Sequence, residues 1–397
     1  MLVPKLRFKE FKNEWNEITL KKILSFKNGI NGDKDSYGYG IKYISVGDIL
    51  NNTYITYDKI KGLIDINDKT LKENSVEYGD MVFQRSSETF NDIGQANVYL
   101  DKKQIATFGG FVIRGKKIGN YNPLFFNYLL KSPCNRKKII VKGAGAQHYN
   151  ISQEELEKIK VNFTVEKEQV KIANLFYSLD KKIELQQRKI EALKIYKTGV
   201  CQKLFQSIKA DKTTFKMQIS KFLKERKIYS EKGLEYPHVT LSKDGILDKS
   251  DRYNRDFLVM SNNKKYKITL LNDLCYNPAN LKFGVICINE YGSAIFSPIY
   301  VTLEINPNIM DVSFCKYYFT RIDFINKVRK YEQGTVYERM SVNVEDFLKH
   351  TDVFPCLENQ RKIAKILSNL DRKINLQKNT LNNLNILKKS LLQQMFI

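Results

Sequence analysis

Two stretches of this chain carry the same heptad seam, 191 residues apart. Positions 172, 176, 179, 183, 186, 190, 193, 197, 200 and 204 step alternately by four and three. They read Ile, Phe, Leu, Ile, Gln, Ile, Leu, Lys, Val, Leu, and the positions 191 further on read Ile, Leu, Leu, Ile, Gln, Leu, Leu, Lys, Leu, Met. That spacing draws an apolar stripe along one side of an α-helix. Both copies break the stripe at matching places, Gln186 with Lys197 and Gln377 with Lys388. Each seam covers 33 residues, so each helix should run about 50 Å at about 1.5 Å per residue. One small domain cannot wrap a helix of that length, so the natural partner for each seam is the other.

The repetition continues upstream, more loosely. "KGAGAQHYNISQEELEKIKVNF" at 142–163 aligns with "QGTVYERMSVNVEDFLKHTDVF" at 333–354. "YGDMVFQRSS" (78–87) aligns with "LNDLCYNPAN" (271–280), "IATFGGFVI" (105–113) with "SAIFSPIYV" (293–301), and "PLFFNYLL" (123–130) with "VSFCKYYF" (312–319). Short strand-like runs such as "DMVFQR", "ANVYL" and "GGFVIR" lie between Gly, Asn and Asp turns, and "NPLFFNYLLKS" reads as a helix. The chain is therefore one module followed by one long helix, written twice. The first module spans 1–150 and its junction and helix 151–209; the second module spans 210–350 and its junction and helix 351–397. The linker "QSIKADKTT" reaches about 30 Å at most, too little for a return path along the helix, so the helices should be antiparallel. The expected fold class is α+β: two repeated α/β modules joined by two long antiparallel coiled-coil helices, with a pseudo-two-fold relation. Fully overlapped helices would bring Gln186 and Gln377 face to face as a buried pair that fixes register.

Lys and Arg number 66 against 43 Asp and Glu, a net charge of +23. This imbalance, accompanied by 23 Tyr and 23 Phe, points to a polyanionic partner and foremost to nucleic acid. The start "MLVPKLRFKEFKNEW" lacks a signal-peptide core, and no window of 18 consecutive apolar residues could span a membrane. The six Cys are scattered without a CxxC pair, as suits a reducing cytosol.

Catalytic motifs do not emerge. His148, His238 and His350 are too scattered for a nucleophile relay or a metal centre. "GFVIRGKK" (110–117) approaches a P-loop but has Lys117 where Mg²⁺ binding needs Ser or Thr. "YNPL" (121–124) and "YNPA" (276–279) lack the second Pro and the aromatic of an amino-methyltransferase loop.

With these residues laid out, the chain resembles the specificity subunit of a type I DNA restriction–modification system. The resemblance covers essentially the whole length. It rests on "PKLRFKEFKNEW", "YGDMVFQRSS", "GAGAQHYNISQEELEKIK" and the two helix copies, in that order and duplicated. It implies two target recognition domains, each reading one half of a split double-stranded DNA site. It implies long helices that space those domains and dock methyltransferase subunits, two of them, with restriction/translocase subunits joining that core. The methyl donor, ATP and Mg²⁺ would belong to those partners, and this chain would hold no cofactor or metal of its own. In the second module "GDMVFQRSS" becomes "NDLCYNPAN", so Pro278 stands opposite Arg85 and the two modules should read different bases.

Base reading needs forked donors and amides in turn-rich segments. The candidates are Arg85, Ser86 and Ser87 after the strand of the first module, and Lys142 and Gln147 in its Gly loop. In the second module they are Arg252, Asn254 and Arg255 in "SDRYNRD", with Asn277, Asn280 and Lys282. Two other readings stand beside this one. A nuclease or DNA methyltransferase with a degenerate motif would act alone, given Mg²⁺ or a methyl donor. A purely helical adaptor would not bind DNA.

Overall fold

The structure, a computed structural model, describes residues 3–145, 148–208, 212–231, 235–243, 245–248, 265–333 and 340–397. The chain divides into two units, residues 1–189 with 377–397 and residues 190–376.

In the first unit, a four-stranded antiparallel sheet runs in the order Leu24–Asn28, Val112–Lys117, Met81–Gln84, Ala96–Val98. Met81–Gln84 is buried along its whole length, as an interior strand covered on both faces requires. A smaller sheet runs Gly62–Ile64, Tyr37–Ile44, Thr107–Phe108, its last pair parallel. Asn122 caps the helix Pro123–Lys131 by accepting from Phe125 N at 3.0 Å, with Pro123 in the first turn. That helix is apolar almost all round and is correspondingly buried. Lys160–Phe163 returns to pair with Asn16–Thr19 and closes the module before the long helix Glu166–Ser207 begins.

In the second unit the larger sheet repeats the same order: Leu223–Glu225, Val301–Ile305, Leu274–Tyr276, Ile286–Ile288. Phe215–Gln218 pairs with Thr351–Phe354 as the first unit's closing strands pair. Asp311 caps Val312–Phe319 as Asn122 caps its counterpart. The smaller sheet differs: Tyr229–Glu231, Lys265–Thr269 and Ala294–Phe296 are antiparallel throughout. A hairpin of Val239–Ser242 with Gly245–Asp248 is added.

The second long helix spans Leu357–Gln394. All twenty seam positions of the two helices are buried or half-buried, which is what the heptad pattern requires. In the first unit the helices run antiparallel: Phe176 meets Phe396, Asp180 meets Lys388, and Gln186 meets Gln377. Gln186 and Gln377 are half-buried rather than buried, because the amides lie at the edge of the seam. In the second unit Lys197 meets Asp371, and Phe205 and Leu367 share one core.

Each core takes in the end of a long helix. In the first unit Met395 and Phe396 are both buried, and Phe396 lies against Trp15, Phe125 and Phe176 at ring-centroid distances of 6.2, 5.7 and 5.8 Å. Leu6 N donates to Gln394 O at 2.9 Å, and Asn162 Nδ2 to Ile397 O at 3.0 Å. In the second unit Phe205, the copy of Phe396, packs on Phe314 and Tyr318 at 5.5 and 6.1 Å. Burying one such ring stabilises by about 2–3 kcal/mol.

Candidate nucleic-acid interface

The strand Met81–Gln84 runs out into Arg85, Ser86 and Ser87, and the loop is fixed on three sides. Arg85 N donates to Phe111 O at 2.9 Å, and Ile151 N donates to Arg85 O at 3.1 Å. The guanidinium donates from Nη1 to Gly110 O at 3.2 Å, leaving a half-buried cation at the rim of the sheet. Ser86 and Ser87 pair with Asn150 and Tyr149, and the Ser86 hydroxyl bonds the Asn150 side chain.

The second module holds its counterpart the same way. Leu274–Tyr276 runs out into Asn277–Asn280, and Val342 N donates to Pro278 O at 3.2 Å. Ile151 and Val342 are 191 residues apart, so Arg85 and Pro278 occupy one backbone position fixed by one hydrogen bond. A forked cation stands there in the first module. In the second an imino ring stands there, with no side-chain donor. Asn280 and Lys282 are partly exposed, and the Lys282 ammonium lies 5.3 Å from the Phe283 ring centroid.

Two candidates are buried in the free chain. Ser87 is tucked under the short strand pairing, and its Oγ accepts from Thr89 N at 3.1 Å. Asn277 is buried, and its Oδ1 accepts from Ala279 N at 3.1 Å and Asn280 N at 3.3 Å, so its acceptor shapes the loop. Lys142 is partly exposed but ion-paired, 3.1 Å from Glu155. Lys158 and Lys142 together hold the Glu155 carboxyl below its ordinary range. Gln147, Arg252, Asn254 and Arg255 lie outside the described residues. Gln186 and Gln377 are brought together: Gln186 Nε2 donates to Gln377 Oε1 and to Gln377 O, each at 2.9 Å.

Sequence reasoning missed a network that joins each module to both helices. In the first unit Tyr128 donates to Asp180 Oδ2 at 2.7 Å, and Lys388 lies 2.5 Å from Asp180 Oδ1 and 5.8 Å from the Tyr128 ring centroid. In the second Tyr317 donates to Asp371 Oδ2 at 2.8 Å, and Lys197 lies 2.5 Å from Asp371 Oδ1 and 5.2 Å from the Tyr317 ring centroid. Burial and the adjacent carboxylate push both phenols up, so both remain donors. The signal was present: Asp180 and Asp371 recur at the repeat offset, as do Lys197 and Lys388.

Arg136 is another structural cation. It donates to Gly94 O, Asn91 O and Ile93 O at 2.8, 3.0 and 2.8 Å, and burial lowers it to about 10. Among the described residues, no helix is long and apolar enough to cross a membrane.

Fold and loops together define a class: paired α/β modules, each built on one sheet order and carrying unlike rim loops, on duplicated long helices. Comparison with known proteins leads to the same class. A family model described as the type I restriction modification DNA specificity domain matches residues 12–195. The putative type I restriction enzyme MjaX specificity subunit of Methanocaldococcus jannaschii is 24% identical over 401 residues, covering 93% of this chain and 89% of that protein. The type I restriction–modification S subunit from M. genitalium superposes with a TM-score of 0.57 at 17% identity, covering 100% of this chain and 99% of that one. A chain from a structure concerned with complex assembly and conformational transition of the type I R-M system gives 0.52 at 10% identity, covering 95% and 96%. Residues 12–195 thus match the type I specificity domain, and the chain along its length is similar to a type I specificity subunit in sequence and shares the fold of solved S subunits.

Proposed function

We propose that this chain reads an asymmetric, two-part DNA site and directs methyltransferase and restriction subunits to it, carrying out no chemical step itself. One observation carries the reading. The same loop, held by the same hydrogen bond, presents Arg85 in one module and Pro278 in the other. A retained scaffold with exchanged side chains at its rim is what two readers of different bases require. The net charge of +23 supplies the sequence-independent attraction to phosphate.

Two methyltransferase subunits are the natural complement of the repeat. Leu185, Ile386 and Leu387 are exposed in the first unit, and Leu376, Ile195 and Tyr196 in the second. These sets are copies at the repeat offset. Exposed apolar residues duplicated in this way suit two copies of one partner. The methyl donor, ATP and Mg²⁺ would be held by the partner subunits, and the assembly would work in the cytoplasm.

The test is a module exchange. Replacing residues 16–163 with the module of a related chain takes both closing strands together. Mapping methylated adenines in cells carrying the hybrid and its methyltransferase should show one half of the motif changed. The other half and the number of skipped bases should persist. A hybrid that alters both halves at once would refute two independent readers.

A further inference from the structure

Phe111 is 67% exposed and Ile299 is 62% exposed, and they stand at the same place in the two modules. Each is the third residue of a four-residue turn entering the central strand of its larger sheet. Val112 N donates to Gly109 O at 2.8 Å in one, and Tyr300 N to Ser297 O at 3.1 Å in the other. A single exposed apolar side chain on a soluble protein is ordinary. Two at one repeated turn, in modules whose neighbouring loops have diverged, are not explained by that.

The turns are rigid platforms. In the first module Gly109 N donates to Ile44 O and Gly29 N to Val112 O, both at 3.0 Å. Arg85 binds the turn through its backbone to Phe111 O and through its guanidinium to Gly110 O. A Cβ at Gly109 would lie 2.3 Å from Tyr43 Oη, and one at Gly110 would lie 2.1 Å from Asn31 Oδ1. Everything in the turn is packed inward except the Phe111 side chain. In the second module Phe296 is fully buried, and its ring centroid lies 5.0 Å from that of Tyr300, while Ile299 projects beside the exposed Pro298.

Both tips stand beside the rim loops. Gln84 is paired with Val112, and Tyr276 with Val301, so the turns and the segments 85–87 and 277–280 leave the same sheet edge side by side. An apolar tip on a stiff support, joined in the first module by the Arg85 cation, is the form of a wedge that enters a duplex and parts two stacked base pairs.

We propose that Phe111 and Ile299 are such wedges, each inserting between bases in the half of the site read by its own module. This rests on the reading of the chain as a DNA reader. The aromatic tip gains stacking that the aliphatic tip lacks, so the first module should hold its unstacked base more firmly.

The test uses the full chain assembled with its methyltransferase subunits, on a duplex carrying the motif that the wild-type complex methylates in cells. 2-Aminopurine is placed at successive positions other than the methylated adenine. With the wild-type complex, one position in each half should brighten several-fold. Phe111→Ala should abolish the signal in one half only and weaken binding about 10- to 100-fold. The dependence of affinity on salt should keep its slope, since no phosphate contact is lost. Phe111→Trp should retain the signal, and Ile299→Ala should silence the other half. Both side chains are exposed, so the substitutions leave the cores intact. Wild-type binding without brightening outside the methylated adenine overturns the wedge and leaves the reader intact. So does a Phe111→Ala chain that binds DNA normally but no longer assembles with methyltransferase, which would make the tip a protein contact. A wild-type complex that binds no DNA overturns the reader itself.

Discussion

Gln186 is hydrogen-bonded to its own repeat copy, donating from Nε2 to both the side-chain and backbone oxygens of Gln377. Slipping the helices would set each amide against apolar neighbours, so the pair selects register at some expense of stability. Gln186→Leu alone should destabilise by about 1 kcal/mol, since it strips Gln377 of its partner. The double Leu variant should recover to wild-type stability or above, read by denaturant unfolding. A double variant less stable than either single would show the pair to be a net stabiliser instead.

The Asp–Lys pairs should be unequal although they are copies. The Asp180 side chain is 9% exposed and that of Asp371 is 31% exposed. Removing one member of an ion pair costs most where the other is left in a dry site. Asp180→Asn should destabilise by about 2 kcal/mol and Asp371→Asn by about 1 kcal/mol. Their sum should hold in the double variant to within about 0.5 kcal/mol, because the two share no partner. Equal losses would mean that burial does not set their strength.

DNA affinity should fall steeply with salt. If six or more phosphates are neutralised, binding by the methyltransferase complex should weaken about 10³-fold between about 50 and 200 mM salt. A nearly flat titration would argue against phosphate as the source of affinity.

The second module carries an acid-sensitive cluster. Burial would raise the Asp352 carboxyl, but the nearby His350 ring, the Lys327 ammonium at 2.7 Å and the Tyr318 hydroxyl at 2.6 Å outweigh it. They hold it well below the usual carboxylate range. A folded-state value below the unfolded one gives stability that is complete above about pH 4 and is lost as pH falls further. Asp352→Asn should therefore be less stable than wild type at neutral pH, and the gap should narrow on acidification below about pH 4. A gap that stayed constant with pH would assign the loss to packing.

The seams were legible in the sequence because a heptad stripe has one structural meaning over 33 residues, and all twenty positions are buried or half-buried. The larger sheets were legible as short apolar runs, but their order was not, since pairing over long separations leaves no local mark. The smaller sheets show this most plainly. Thr107–Phe108 joins its neighbour in parallel and Ala294–Phe296 joins in antiparallel, from strands of similar composition. The burial of Ser87 and Asn277 was not legible, because a polar residue in a turn looks the same whether its side chain faces solvent or its own backbone. The Tyr–Asp–Lys networks escaped because each draws one residue from a module and two from different helices.

Phe396 also ties the order of synthesis to the order of assembly. The first module is synthesised before the second, yet Met395 and Phe396 belong to its core. Its core lacks those two side chains until the second long helix has been made, whereas the second module receives Phe205 before the rest of itself is made. A chain interrupted anywhere before residue 395 thus lacks two of the side chains that fill the first core.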